Sequence, residues 1–446
     1  ETLTAGQVLE VPNQVTNLHH RSDTWRPYNP GEAEGNVSPS LPPSVTREPC
    51  GGAGPLIVMV VMILVMIYAP QAVQPVAEVM FGVGTTATTV ATTAPAPARD
   101  SDPVVLTGAQ TPALLGARPK RIVAFRWTGR RWRQIPGQVD ERARVDLGQV
   151  YDGKAVGRVT GFAPLVYTDP GTFTGPDPDP AVDADDEIAL MYRDAGAKAP
   201  RTKRPKGVGS APAAMLRLAD PLGGASRYVY LFANRTNRLD PSAGRRYVDY
   251  AFRLDSGDYR STYRLSDGPN PEHSTVVTPA YHAAFTDRFW TPDLSLTSGG
   301  AGGRDILDRL TARLAPNTCG RSEQTFRSAE GAFIANRSGP VRAIRSYIGA
   351  NSGPLTQRDQ IMYDRRMDIR TYLRVHPIPG VMDLVDYSRA AVGMTYRDER
   401  NPAGVRVDGT PDALAPGLSG WDQVSGAQGT LTNVVRFTKL PAGVSA

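Results

Sequence analysis

Beyond residue 103 the chain alternates between apolar and polar residues in short runs separated by Gly, Pro and Asp. Ile122-Val123-Ala124-Phe125-Arg126-Trp127 and Trp132-Arg133-Gln134-Ile135-Pro136 flank Thr128-Gly129-Arg130-Arg131, which predicts a β-hairpin. Further strands are expected at Glu187–Tyr192, Tyr228–Phe232, Tyr247–Leu254, Tyr259–Leu265, Val341–Ile348 and Ile369–His376. One amphipathic helix is expected at Arg304–Ala315, because Ile306, Leu307, Leu310 and Leu314 would share a helical face. The expected fold class is all-β: a small β-domain followed by a large β-sandwich, preceded by a short N-terminal apolar helix and linkers.

The N-terminal part departs from this pattern. Leu56–Ala69 is an uncharged apolar run. As a helix it would rise about 21 Å, less than the roughly 30 Å hydrocarbon core of a bilayer. Pro70 and Pro75 stop its continuation. The expected organisation is a tail over 1–13, a linker over 14–55, an apolar segment and candidate membrane helix over 56–81, a Thr/Ala/Pro linker over 82–102, a small β-domain over 103–200 and a β-sandwich over 201–446.

Charge sharpens the division. Residues 1–98 hold three Arg and seven acidic residues, a net of −4, so a chain total of +6 leaves +10 beyond. Arg makes planar, bidentate contacts with carboxylates, so the expected partner is an anionic polysaccharide or cell-wall glycan. Genomic composition bias toward Arg is the alternative reading of the excess. No basic run interleaves with aromatics, which argues against nucleic acid. Cys50 and Cys319 lie in no CxxC, so neither a disulfide framework nor a structural zinc site is indicated. GxSxG, GxxxxGK[ST], GxGxxG and HExxH are all absent.

Two features carry candidate chemistry. The loop Asp177–Glu187 holds six carboxylates, with Asp177, Asp179, Asp183, Asp185 and Asp186 as candidate ligands for calcium, a hard cation that takes six to eight oxygens. It lacks the Gly of an EF-hand, and a solvated acidic turn remains the alternative. In Ile369–His376, Ile369, Thr371, Leu373 and Val375 face one way as core. Arg370, Tyr372, Arg374 and His376 face the other way, either as a plain exposed sheet face or as a stripe on which sugars stack and carboxylates pair.

Three segments resemble known families. Thr2–Asn13 resembles the closing strand of a LysM peptidoglycan-binding module, and Val15–Pro30 resembles the post-LysM region of Rhs and polymorphic-toxin-type bacterial surface proteins. Ser338-Gly339-Pro340-Val341-Arg342-Ala343-Ile344-Arg345-Ser346-Tyr347 resembles a strand of galactose-mutarotase-like super-sandwich domains, including rhamnogalacturonan-lyase-like proteins. Ile135-Pro136-Gly137-Gln138-Val139-Asp140-Glu141 resembles a strand of the small β-domain preceding that sandwich. The resemblance implies a bacterial exported or surface-associated protein, extracellular or anchored at the membrane, that recognises an extracellular polysaccharide, with its processing left open. No lyase residue aligns one to one. For lyase chemistry, Arg345 or Arg374 would neutralise a uronate, Tyr347 or His376 would remove the adjacent proton, and Arg342, Arg370 and Tyr372 would bind substrate. A non-enzymatic adhesion module and the C-terminal part of a secreted toxin remain open alternatives.

Overall fold

The computed structural model describes residues 14–17, 57–68, 99–151, 161–200, 203–219, 225–236, 238–255, 257–262, 272–286, 291–297, 303–314, 321–322, 331–349, 355–375, 381–410, 412, 414–415 and 419–439. The chain is all-β. Among the described residues the one α-helix is the single turn Tyr259–Thr262, and no helix is long and apolar enough to cross a membrane.

The central layer is a nine-stranded sheet. Its order is Ala332–Ser338, Ala343–Ile348, Thr356–Met362, Arg366–Val375, Ile57–Tyr68, Gly429–Lys439, Trp421–Gly426, Thr395–Asp398 and Val405–Arg406. The apolar run expected as a short helix is therefore a strand over Ile57–Tyr68. It is antiparallel to Arg366–Val375 on one side and to Gly429–Lys439 on the other. The correction has a simple cause: an uninterrupted aliphatic run rich in Val and Ile suits a central strand paired on both edges as well as it suits a helix. The rest of the 56–81 segment, and the tail over 1–13, lie outside the described residues.

One face of this sheet packs on a five-stranded sheet, Asp249–Ala251 through Thr275–Val277, Tyr281–Ala284 and Asp293–Leu296 to Arg304–Asp305. Phe285, Leu294 and Leu296 from the smaller sheet join Phe333, Tyr347, Ile369 and Leu373 in one core. The expected alternation at 369–373 holds, since Ile369, Thr371 and Leu373 are all buried.

The helix expected at Arg304–Ala315 is two strands, Arg304–Asp305 and Leu307–Leu314. The second pairs with Val381–Tyr387, and a bulge between Leu307 and Arg309 shifts its register. The bulge breaks the two-residue alternation, and the strand is buried on both faces from Arg309 to Ala312, so Ile306, Leu307 and Leu310 can be read on one helical face without a helix forming. Tyr259, expected to open a strand, opens the helical turn instead.

The opposite face of the central sheet is covered in part by the small β-domain. The predicted hairpin is observed as Ile122–Trp127 paired with Trp132–Ile135. It joins Arg227–Ala233 and Ala213–Leu218, which lie beyond the expected boundary at residue 200, in a four-stranded sheet. Beside it, Pro103–Thr107, Glu187–Met191 and Gln138–Asp140 form a three-stranded sheet. Leu147, Val150, Val166, Tyr167, Ala189 and Met191 belong to the same core as the central sheet, which ties the two parts together.

Candidate functional site

Arg370, Tyr372 and Arg374 leave the same face of the Arg366–Val375 strand, as alternation predicts, and all three are half-buried. The neighbouring strand sets Asp359 opposite Arg370 and Gln357 opposite Tyr372. Asp359 is buried, and its Oδ1 accepts from Ser346 Oγ and from Gln357 Nε2 at 3.0 Å. Burial raises the Asp359 carboxyl, and these two hydrogen bonds with the nearby Arg370 and Arg374 pull against that rise. Gln357 Oε1 in turn accepts from Arg374 Nη2 at 3.2 Å.

The Arg374 guanidinium lies 4.9 Å from the centre of the Tyr372 ring and 5.3 Å from that of Phe162, which arrives from the small β-domain. Two aromatic contacts fix its plane and strip water from it. Burial accordingly lowers the Arg374 guanidinium. Burial and the adjacent Asp359 push Tyr372 up to about 12, so its hydroxyl keeps its proton at neutral pH. Arg370 Nε and Arg374 Nη1 are buried without a hydrogen-bond partner, although guanidinium donors are costly to leave unmade. Among the described residues neither Arg370 nor Arg374 has a carboxylate at ion-pair distance. The arrangement therefore holds two oriented cationic donors beside one carboxylate, with hydrogen-bonding capacity unspent.

The other candidates sit elsewhere. Arg345 and Tyr347, expected in catalysis, are fully buried between the central and five-stranded sheets. Arg345 bonds Glu272 and donates to Gln360 Oε1 at 3.1 Å. The rings of Phe285, Phe333 and Tyr347 surround it at 4.5, 5.0 and 5.2 Å. A polymer cannot reach this cage, so Arg345 and Tyr347 are core residues. The reason lies in alternation: they point to the face opposite Ser346, which the second sheet covers.

Arg342, expected to bind substrate, is fully buried as well. It donates to Asp140 Oδ2 at 2.8 Å, Glu187 Oε2 at 2.6 Å and the Tyr363 hydroxyl at 3.3 Å. Its guanidinium is thus spent on Asp140 and Glu187 of the small β-domain and on Tyr363, next to the Thr356–Met362 strand of the central sheet. Burial works against the charge of Glu187, but Arg342 and Arg142 hold its carboxyl down at about 2. His376 lies outside the described residues.

The acidic loop is organised by its own backbone. Asp177 Oδ1 accepts from Asp179 N, Asp179 Oδ1 from Ala181 N and Asp183 Oδ1 from Asp185 N. The two oxygens of Asp186 accept from Arg142 N and Asp183 N. Burial raises Asp186 to about 7 in spite of these bonds. Oxygens of Asp183, Asp185 and Asp186 lie within 4.8 Å of one another. Asp177 Oδ2 and Asp185 Oδ1 are buried without a partner. Burial and neighbouring acids raise the carboxyls of Asp177, Asp185 and the adjacent Glu141. Asp179 is exposed.

Sequence reasoning missed Ser346, Gln357, Asp359 and Phe162. The strand Thr356–Met362 is buried along its whole length yet polar over its first five residues, so no hydrophobic run announces it. Comparison with family models, curated proteins and solved structures returns no match.

Proposed function

We propose that this chain is a bacterial exported or surface-associated protein that recognises an anionic polysaccharide through the half-buried face formed by Arg370, Tyr372 and Arg374. The observation that carries the reading is the Arg374 guanidinium clamped between Phe162 and Tyr372, with donors on Arg374 and Arg370 left unused. Carboxylates of uronic-acid units suit such donors, and charge-assisted pairs of this kind are about twice as strong as neutral ones. Recognition is favoured over cleavage, because Arg345 and Tyr347 lie in the core. The test is binding to uronic-acid oligomers. Arg374→Ala should weaken it by about 1.5–3 kcal/mol, the worth of a hydrogen bond to a charged group. Phe162→Ala should weaken it less, by freeing the guanidinium. Unchanged binding in the Arg370/Arg374 double alanine variant would return this face to a structural role.

We further propose calcium as a cofactor of the loop 177–187. The fit rests on the unpartnered Oδ1 of Asp185 in its cluster with Asp183 and Asp186. Oxygen donors of this kind suit a hard cation. Asp183, Asp185 and Asp186 would supply the ligands, since their oxygens lie within 4.8 Å of one another and each carboxylate oxygen that accepts a backbone N–H keeps a second lone pair. Binding to the folded state alone stabilises by about 2.7 kcal/mol at 100 times the dissociation constant. Calorimetry with calcium and with EDTA measures this. A melting temperature indifferent to millimolar calcium, or a shift that survives Asp183→Ala with Asp185→Ala, would reject the cofactor.

A further inference from the structure

Around the proposed glycan face the described charges do not balance. Arg142 and Arg342 are matched by Asp140 and Glu187, and Arg366 by Asp368. What remains is Arg370 and Arg374 facing the single carboxylate of Asp359. Asp359 is tethered by Ser346 and Gln357, so it cannot swing out to solvent when a ligand arrives. Three consequences follow from elementary electrostatics. A neutral sugar leaves one positive charge uncompensated. A singly charged group neutralises the face. A doubly charged group leaves a negative surplus beside a buried carboxylate, where repulsion is screened far less than in water.

Resting on the glycan-binding reading above, we infer that Asp359 makes the face selective for monoanionic sugar substituents, a uronate carboxylate or a sulfate ester, over dianionic phosphate monoesters. Asp359 acts here as a specificity-determining residue that need not touch the ligand. Its place in the register, directly across from Arg370 and one hydrogen-bonded side chain away from Arg374, gives it leverage on both cations, the larger on Arg370.

The experiment is calorimetric titration of the full chain at pH 8 with four probes: a neutral galactose oligomer, an oligogalacturonate, a sulfated galactose oligomer and a galactose phosphate monoester. The wild-type chain should bind the two monoanionic probes, and the phosphate dianion on the order of tenfold more weakly. Asp359→Asn removes one negative charge and keeps the carboxamide oxygen for Ser346 and Gln357. It should reverse the order and favour the phosphate. Arg374→Gln shifts the charge the other way, leaving Arg370 against Asp359; it should weaken all charged probes and widen the preference for the monoanions over the phosphate dianion, which keeps the inference testable if Asp359→Asn fails to fold. Carboxylate and sulfate arms that differ from each other identify which monoanion the face takes. An unchanged phosphate-to-uronate ratio in Asp359→Asn, with anionic glycans still bound, overturns the selectivity and leaves the glycan reading intact. Absence of binding by every charged probe overturns both.

Discussion

Asp386 is buried in the Val381–Tyr387 strand, directly across the ladder from Arg309, and its Oδ1 has no hydrogen-bond partner among the described residues. Burial pushes its carboxyl up to about 7, Arg309 opposes the rise and Asp308 adds to it. The folded protein therefore keeps this proton between roughly pH 4 and 7, whereas the unfolded chain has lost it. Its contribution to stability is complete below about pH 4 and is lost as pH rises through 7. Asp186 acts in the same direction over the same interval. Glu187 acts in the opposite sense but only below its ordinary range, near pH 2 to 4.5. Stability should therefore fall between pH 5 and pH 8. Asp386→Asn should flatten this slope by a few kcal/mol, since each pKa unit corresponds to about 1.36 kcal/mol. Urea midpoints of both proteins at the two pH values measure it. A slope identical in both would show that Asp386 titrates normally.

The strands show where pattern reading works and where it stops. The hairpin at 122–135 and the core face of Ile369, Thr371 and Leu373 were legible because each side of the strand meets one kind of environment. The stripe of Arg370, Tyr372 and Arg374 was legible for the same reason. Asp359 and Gln357 were not, because both faces of their strand are buried and polar pairing replaces apolar packing. Long-range partnership cannot be read from local period at all. Nothing within Ile57–Tyr68 distinguishes a strand from a helix, and its assignment comes from partners some 300 residues away. This placement gives the segment a consequence for folding. With both edges hydrogen-bonded, its removal separates Arg366–Val375 from Gly429–Lys439, and an interior proline removes a ladder donor. Met62→Pro should lower stability by about 3 kcal/mol or more. Residues 103–446 alone should unfold without a sharp transition, with cooperativity restored when 57–68 is included. Equal melting of the shorter and full chains would place this strand outside the folding unit.

At the scale of the molecule, the two segments singled out by resemblance meet. Gln138 Oε1 accepts from the backbone N–H groups of Val341 and Arg342, and Gln138 Nε2 donates to Asp140. Gly339 lies so close that a Cβ there would fall 2.1 Å from Gln138 Oε1. Arg342 then reaches across to Asp140 and Glu187, and Glu187 also takes hydrogen bonds from Arg142 and the Tyr167 hydroxyl. Every ionised group in this cluster has an opposite partner, which buried charge requires. The cluster joins the small β-domain to the central sheet and holds Tyr167 over the face near Arg370. Removing one member strands the others, and breaking a buried pair costs about 3–5 kcal/mol, whereas replacing the whole cluster by neutral groups can be nearly neutral. Arg342→Met should therefore lose about 3–5 kcal/mol, and the calorimetric transition should split as the two parts unfold separately. Adding Asp140→Asn and Glu187→Gln to it should recover much of the loss, because no uncompensated carboxylate then remains buried. The same triple variant should keep its single transition only if apolar contacts such as those of Val166 and Ala189 suffice to hold the parts together. A small loss in Arg342→Met with one sharp transition would show that these apolar contacts, and not the charged cluster, couple the small β-domain to the sheet.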